Sequence, residues 1–362
     1  MSTILEKLSI ANAKVPAVYN AGKFDKNMTD FAYYFYKGHR LDMLGLINTS
    51  NGINFSSMFS GCEALTNIPE LDTSKGTDFS NMFNHCYRLT TVPKLDTSNG
   101  INFYRMFDGC TNLSTITELD ISKGTNITDM FLACVQLATI HKIVVYDSSQ
   151  FSRVFGTATA LQTIGEIIVL NGADFSHMFR DKTSLTTVSK LDTSNGTNFR
   201  YMFSGCEALT NIPELDTSKG TDFTAMFNTC LKLTTIPKLD TSNGTKFVSM
   251  FNSCAELSTI PELNISKGTD FTYMFNRCAK LTTITFASAC VIAFDISFSA
   301  SPLLTIESLK SIVNALSVNT SSSKPTLTLN TTSWETLEAT TPPTGYNTWK
   351  EYISTYKNWN YA

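Results

Sequence analysis

The chain has 362 residues, of which 42% are hydrophobic and 16% charged, and its formal net charge is -3. This composition is typical of a folded protein, and the small net charge argues against electrostatic binding to nucleic acid or to a membrane surface. No apolar run approaches the roughly 18 residues that span a bilayer, so membrane insertion is not expected. The first ten residues lack the charged start and apolar core of a secretory signal, and the last residues show no wall-anchor motif.

Residues 1–22 are predicted to form a short helical leader that is broken near Pro16. Two interpretations stay open for this leader: a helix that covers the first repeat, or a segment for attachment or oligomerisation. Residues 23–46 then form a degenerate first copy of the repeat that follows, because a terminal copy must face water or a cap on one side.

Residues 47–286 consist of ten copies of a 24-residue unit, with no insertion or deletion between them. A fixed period of this length indicates stacked units, each of which buries its apolar side chains against its neighbours. The predicted fold is an α/β solenoid of about ten repeats with a parallel strand ladder and a cap at each end, spanning residues 23–306.

The copy Leu71–Lys94 shows what each unit is expected to form. Four apolar residues follow the i, i+3, i+4, i+7 spacing of one helix face: Phe79, Met82, Phe83 and Cys86. The run Leu89–Val92 is predicted as a strand, and Pro93 ends it because proline has no N–H to donate to a sheet.

The period is lost after Phe286, and residues 307–362 are predicted to form an aromatic-rich α/β cap. Its first element is an amphipathic helix that starts after Thr305, whose hydroxyl can cap it. An alternating strand follows at Thr326–Leu329, and the tail from Thr344 is predicted to be helical.

The cysteines form the first candidate site, because eight of the nine occupy one position of the repeat. These are Cys62, Cys86, Cys110, Cys134, Cys206, Cys230, Cys254 and Cys278. Equivalent side chains of stacked units point the same way, so the sulfurs run parallel rather than meeting as disulfides. There is no CxxC motif and no histidine pair for zinc, so a column of buried free thiols is predicted, as suits folding in a reducing cytoplasm.

Charges alternate in sign at the residue before each copy. The series is Glu70, Lys94, Glu118, Lys142, Glu166, Lys190, Glu214, Lys238 and Glu262. Stacked units lie roughly 4.8 Å apart, so a column of one sign would repel itself, whereas alternation gives every charge opposite neighbours. Support of the register is the favoured interpretation, and a ligand-binding stripe is the alternative.

A column of aspartates is the third candidate. Its members are Asp72, Asp96, Asp120, Asp192, Asp216 and Asp240. Each is followed by Thr-Ser or Ile-Ser, which favours a side chain that closes its own turn over a calcium ligand. The four histidines form no cluster, and no catalytic triad or phosphate-binding loop is present, so neither an enzyme nor a bound cofactor or metal is predicted.

Aromatic residues concentrate at the C-terminus. The candidates for ligand or partner contact are Trp334, Tyr346, Trp349, Tyr352, Tyr356 and Trp359. Packing on the last repeat is one interpretation, and recognition of sugar rings or a protein partner is the other.

The unit L-D-T-S-N-G-T-x-F-x-x-M-F-x-x-C-x-x-L-T-x-I-P resembles the repeat of the BspA-like leucine-rich-repeat surface proteins over residues 47–286. It differs at Gly76 and Gly100, where that family often has valine, and at Phe79 and Phe103, where it often has methionine. The resemblance implies a leucine-rich-repeat-like stack, display at a surface, and binding to cells, proteins or glycans, with no catalytic residues to transfer.

Both ends of the chain suggest a second resemblance. The leader ANAKVPAVYNAGK and the segment from Ser308 to Glu338 are similar to the ends of repeat proteins from phage tail regions. A virion protein needs no secretory signal, because it assembles in the host cytoplasm and leaves by lysis. The leading prediction is therefore a phage virion component, in the tail or in receptor binding, that contacts the bacterial surface and joins other virion proteins through residues 1–22. The alternative is a bacterial cell-surface or secreted BspA-like adhesin for host proteins or glycans. A homo-oligomer is possible, and one formed through residues 1–22 would favour the virion component.

Overall fold

The structure is a computed structural model that describes residues 27–38, 47–147, 154–155, 158 and 160–362. It divides into two units, one comprising Met1–Asn171 with Val188–Lys190 and the other Gly172–Thr187 with Leu191–Ala362. Each unit contains 24-residue coils that stack in parallel and in register, which confirms the predicted solenoid. The predicted leader, residues 1–22, lies outside the described residues, and the copy at 143–166 is described only in part.

Two columns of stacked phenylalanine rings form the core of each unit. In the first unit the Phe55 and Phe79 rings are 5.6 Å apart with planes 3° from parallel, and Phe59 and Phe83 are 5.5 Å apart at 6°. Methionine, cysteine and leucine side chains of the same coils are fully buried beside these rings. The predicted core positions are therefore confirmed. Each 24-residue coil buries its apolar side chains only by packing against the neighbouring coils.

The helix predicted at the start of each copy is wrong: in the coils described in full, this segment is a run of tight turns. Alternate N–H groups leave the coil, as when Phe79 and Asn81 each donate to a carbonyl of the next coil at 2.8 Å. The intervening groups bond three residues back, as Asn84 does to the carbonyl oxygen of Asn81 at 3.1 Å. Asn81 (φ 54°) and His85 (φ 57°) take the left-handed conformation that redirects the chain every four residues. Bonding between coils thus replaces the bonds that a helix would make within itself.

Strands follow these turns in several of the coils. They are β1 (Thr115–Asp120), β2 (Thr139–Val145), β3 (Thr163–Val169), β4 (Thr187–Leu191), β5 (Thr259–Leu263) and β6 (Thr283–Phe286). The first four form a sheet in chain order, and the pairs β1–β2, β2–β3 and β5–β6 are parallel. Where Pro93 and Pro237 occupy the middle of this segment, only single bridges form, at Thr91 and Thr235. Proline does not always end the strand, because β5 contains Pro261; its ladder with β6 shifts register between Ile260 and Leu263, where the proline has no N–H to donate.

The C-terminal segment extends the second unit. Its elements are β7 (Ile296–Phe298), α1 (Ile306–Ala315), β8 (Thr326–Leu329), α2 (Thr331–Glu338), α3 (Trp349–Glu351), a π-helical turn at Tyr352–Tyr356, and β9 (Asn360–Tyr361). The strands β7, β8 and β9 form a parallel sheet in that order. Helix α1 begins as predicted, with the Thr305 hydroxyl accepting the N–H of Ser308 at 3.3 Å. The strand predicted at Thr326–Leu329 is also confirmed.

Candidate functional surfaces

The cysteine column is a set of buried free thiols that bond to the backbone. Each of the eight repeat thiols contacts a phenylalanine carbonyl of the preceding coil, as Cys110 Sγ does with Phe83 O at 3.0 Å. Burial raises the pKa of Cys62 to about 12 and holds that of Cys110 well above its usual value. Because the thiolate is the reactive form, these cysteines are chemically inert in the folded chain. Each thiol adds a bond between coils to a carbonyl that already accepts an N–H of its own coil, as Phe83 O does from Cys86, and an alanine at this position could not make it.

The alternating charges form ion pairs between neighbouring coils. Glu118 lies between two lysines, with Lys94 Nζ at 2.6 Å and Lys142 Nζ at 3.2 Å from its carboxylate oxygens. These contacts lower the pKa of the Glu118 carboxyl. Lys190 pairs with Glu166 at 2.8 Å, and in the second unit Lys238 pairs with Glu262 at 3.2 Å. A role in holding the register stays a prediction, because exposed ion pairs contribute little individually.

Two further rows, not predicted from the sequence, alternate in the same way. At one repeat position asparagine and lysine alternate between successive coils. The Lys75 ammonium donates to Asn51 Oδ1 at 2.7 Å, and the Lys219 ammonium donates to Asn195 Oδ1 at 2.9 Å. At another position Asp and Asn alternate over several coils, and these side chains accept the N–H two residues on. Examples of that second row are Asp30, Asn54, Asp78 and Asn102. The alternation every 24 residues was a readable signal for both rows.

The aspartate column closes turns, as predicted. Asp72 Oδ1 accepts the Ser74 hydroxyl at 2.7 Å and the Ser74 N–H at 3.1 Å, and these bonds lower the pKa of Asp72. Asp216 and Ser218 repeat the arrangement in the second unit. Among the described residues, no group of three or more His, Cys, Asp or Glu side chains is placed to hold a metal ion.

The three tryptophans of the C-terminal segment belong to its core. The exposed fractions of Trp334, Trp349 and Trp359 are 7%, 4% and 0%. Each indole N–H has an acceptor: Ala362 O at 3.0 Å, Thr340 Oγ1 at 3.0 Å and Ser317 O at 3.1 Å, respectively. These placements favour the packing interpretation for the tryptophans, since a buried indole cannot present its face to a ligand.

The three tyrosines of the prediction form one cluster at the surface. The Tyr352 ring lies 5.1 Å from both Tyr346 and Tyr356, and Tyr356 is 48% exposed. Burial and the two neighbouring tyrosines raise the pKa of Tyr352. Contact with a ligand or partner through this cluster stays a prediction.

A membrane span was not expected, and no helix within the described part of the chain has the length and apolar character needed to cross a bilayer.

Comparisons with known proteins place the repeats in a family. The family model described as "Mycoplasma protein of unknown function, DUF285" matches four overlapping stretches, residues 27–143, 53–167, 149–259 and 173–287. No curated protein matches the chain. A solved structure that matches is a leucine-rich cell surface protein from Faecalibacterium prausnitzii A2-165; it has 16% identity and a TM-score of 0.29, and the match covers 86% of this chain and 79% of that one. Because the family matches extend over most of the sequence, the chain belongs to the DUF285 family.

Proposed function

We propose that the chain is a non-enzymatic binding protein displayed at a bacterial cell surface, where it contacts proteins or glycans. Two observations from the sequence support this function. The repeat resembles that of the BspA-like surface proteins, and the DUF285 matches fall on the same residues that carry the resemblance.

The observation that carries the proposal is the way polar side chains are held on the coil surfaces. Lys75, Lys94 and Asp72 each bond to a neighbouring side chain at 2.6 to 2.7 Å, and equivalent residues repeat these bonds along each unit. Side chains fixed in this way lose little further entropy when a partner binds. The coils therefore offer ordered polar rows for binding, rather than a single deep site.

The titratable groups favour binding over catalysis. The thiols are held protonated by burial, and Asp72 and Asp216 have lowered pKa values because they accept hydrogen bonds within their own turns. A general acid or base needs a pKa near the working pH and a free path to its substrate. None of these groups meets the first condition, and the buried thiols do not meet the second, which supports a role without chemistry.

The virion component favoured by the two ends of the sequence receives no such support. The family matches lie within residues 27–287, so they include neither the leader 1–22 nor the segment 307–362 that carries the phage resemblance. The surface adhesin is therefore the better-supported function, and particle association is an outcome that the experiments below can detect.

Binding of the purified full chain to intact cells tests the proposal. Fluorescently labelled chain should bind saturably to bacterial or mammalian cells, and excess unlabelled chain should compete. Heat-unfolded chain serves as the control, because the ordered rows exist only in the folded coils. The absence of saturable binding to every cell type offered would contradict a binding role.

A further inference from the structure

A cleft opens in the second unit where the regular stack ends. The first phenylalanine column stops at Phe271, whose ring is tilted by 34° against Phe247, while the second column continues from Phe275 to Phe298 at 4.6 Å. The coil that follows Phe271 does not repeat the regular geometry, since residues 296–298 form strand β7 there. The result is a cleft of about 800 Å³ beside Phe271, between the last regular coil and the loop before β8. This volume lies in the range of about 300–1,000 Å³ that is usual for small-molecule sites.

The cleft combines exposed aromatic rings with many hydrogen-bonding groups. Tyr273 is 65% exposed and Phe294 is 44% exposed. The remaining lining is mostly hydroxyl and carboxylate. It includes Asp270, Thr272, Asp295, Ser321, Ser323 and Thr326. Two exposed aromatic rings thus lie together with hydroxyl and carboxylate groups in one cleft.

The wall formed by residues 319–326 is held in place before any ligand arrives. The Asn319 amide donates to the carbonyl oxygens of Ser321 at 3.2 Å and Ser323 at 3.0 Å. Asp295 Oδ1 accepts the Thr326 N–H at 2.6 Å, which ties this wall to the coil opposite. The Asn360 N–H donates to Pro325 O at 2.8 Å and fixes the loop against β9. A preformed wall lowers the entropic cost of binding.

We propose that this cleft binds a saccharide. The faces of Tyr273 and Phe294 suit the C–H faces of sugar rings, and the hydroxyl and carboxylate groups suit the ring hydroxyls. The Asp270 carboxylate remains ionised at neutral pH, because the hydroxyl and N–H of Thr272 lower its pKa. It can therefore accept hydrogen bonds from sugar hydroxyls. The inference rests on the proposed binding function and names a ligand class for it.

The test is a glycan array of defined oligosaccharides probed with the full chain, followed by calorimetry with the best ligand. Tyr273→Ala and Phe294→Ala should each weaken binding at least tenfold, and both side chains are exposed, so the fold should tolerate their removal. Tyr201→Ala is the matched control, because Tyr201 occupies the same repeat position with the same left-handed backbone but lies outside the cleft. It should leave the affinity unchanged.

Three results would overturn the inference: no binding to any saccharide, binding that Tyr273→Ala and Phe294→Ala leave intact, or binding only to a cationic peptide included on the array. The cell-binding experiment separates this inference from the proposed function. Cell binding that survives both substitutions would refute the saccharide cleft and leave the surface role standing. Saccharide binding without cell binding would support the saccharide cleft and contradict the proposed surface role.

Discussion

Glycine and phenylalanine occur together in the repeats because the ring fills the space that a side chain on the glycine would need. A β-carbon on Gly100 would lie 2.1 Å from Cζ of Phe103, and one on Gly76 would lie 2.4 Å from Cζ of Phe79. The BspA-like repeat often has valine and methionine at these two positions. The two differences from that family are thus one coupled change, in which phenylalanine at one position requires glycine at the other.

This coupling predicts non-additive stabilities. Gly100→Val should lower the free energy of unfolding by about 3 kcal/mol, because it overpacks a closed core. In the Phe103→Met background the same change should cost at least about 1 kcal/mol less, since the flexible methionine can move aside. Urea unfolding of the four proteins measures the coupling, and additive effects would contradict the account.

The left-handed residues of the turn runs predict a stabilising substitution. Thr229 has a φ of 61° at a repeat position that holds Gly61, Gly109 and Gly205 in other coils. Thr229→Gly should raise the free energy of unfolding by about 1 kcal/mol, because a β-branched residue is strained in this conformation. Its N–H bond to Asn252 O is retained. The reverse change, Gly205→Thr, is the matched control and should destabilise; a loss of stability in Thr229→Gly would contradict the prediction.

The buried thiols predict a loss of stability at high pH. A free thiol ionises near pH 9.0, whereas burial raises the pKa of Cys134 to about 12. Between these values the unfolded chain releases protons that the folded chain keeps, so the stabilisation present below pH 9 is lost as the pH rises towards 12. Each such thiol should contribute a loss of about 1.4 kcal/mol per pH unit in this window.

The variant Cys134→Ala isolates this effect from the titration of lysine and tyrosine. Between pH 10 and 11 the free energy of unfolding of this variant should fall less steeply than that of the wild type, by about 1.4 kcal/mol per pH unit. Denaturant unfolding at a series of pH values provides the comparison. Equal slopes for the two proteins would show that Cys134 ionises normally in the folded state.

At the scale of the element, the apolar spacing in the sequence correctly predicted which side chains are buried, but the helix predicted from that spacing was wrong. Phe79, Met82, Phe83 and Cys86 do point to one side, as an i, i+3, i+4, i+7 pattern predicts. A run of turns with a left-handed residue every fourth position gives the same spacing. Gly61 and Gly109 indicated left-handed residues, because glycine readily adopts that conformation. In other coils the left-handed residues are not glycine, as with Asn81 and His85, so the sequence did not indicate them. Hydrogen bonds between coils decide that this segment forms turns rather than a helix, and the local sequence does not show those bonds.

The charge ladder can be tested in the sheet of β1, β2 and β3. Lys142 lies directly opposite Glu118 on one side and Glu166 on the other. Lys142→Glu would place three carboxylates in a row and should lower the free energy of unfolding by about 1 kcal/mol at low salt, with a smaller effect in 1 M NaCl. Arg88→Glu makes the same change of charge at an exposed position outside the ladder and serves as control. Equal effects of the two variants would refute a role of the ladder in stability.

At the scale of the whole molecule, the sequence was informative where the repeat is regular and uninformative where it ends. The 24-residue period predicted the parallel stack, the thiol column and the turn-closing aspartates. The exposed Tyr273 and the cleft beside it could not be predicted, because they depend on how the chain leaves the register after Phe286. The sequence left packing and ligand recognition both open for the C-terminal tryptophans, and the structure buries these rings in the core.

Mass spectrometry on two fractions of the source culture tests most directly whether this chain acts at a cell surface, as we propose. Peptides of the chain should be enriched in washed cell envelopes, and brief protease treatment of intact cells should remove them. Purified phage particles from the same culture should contain only traces. Stoichiometric amounts in the particles, with none in the envelopes, would contradict the surface function and identify a virion protein.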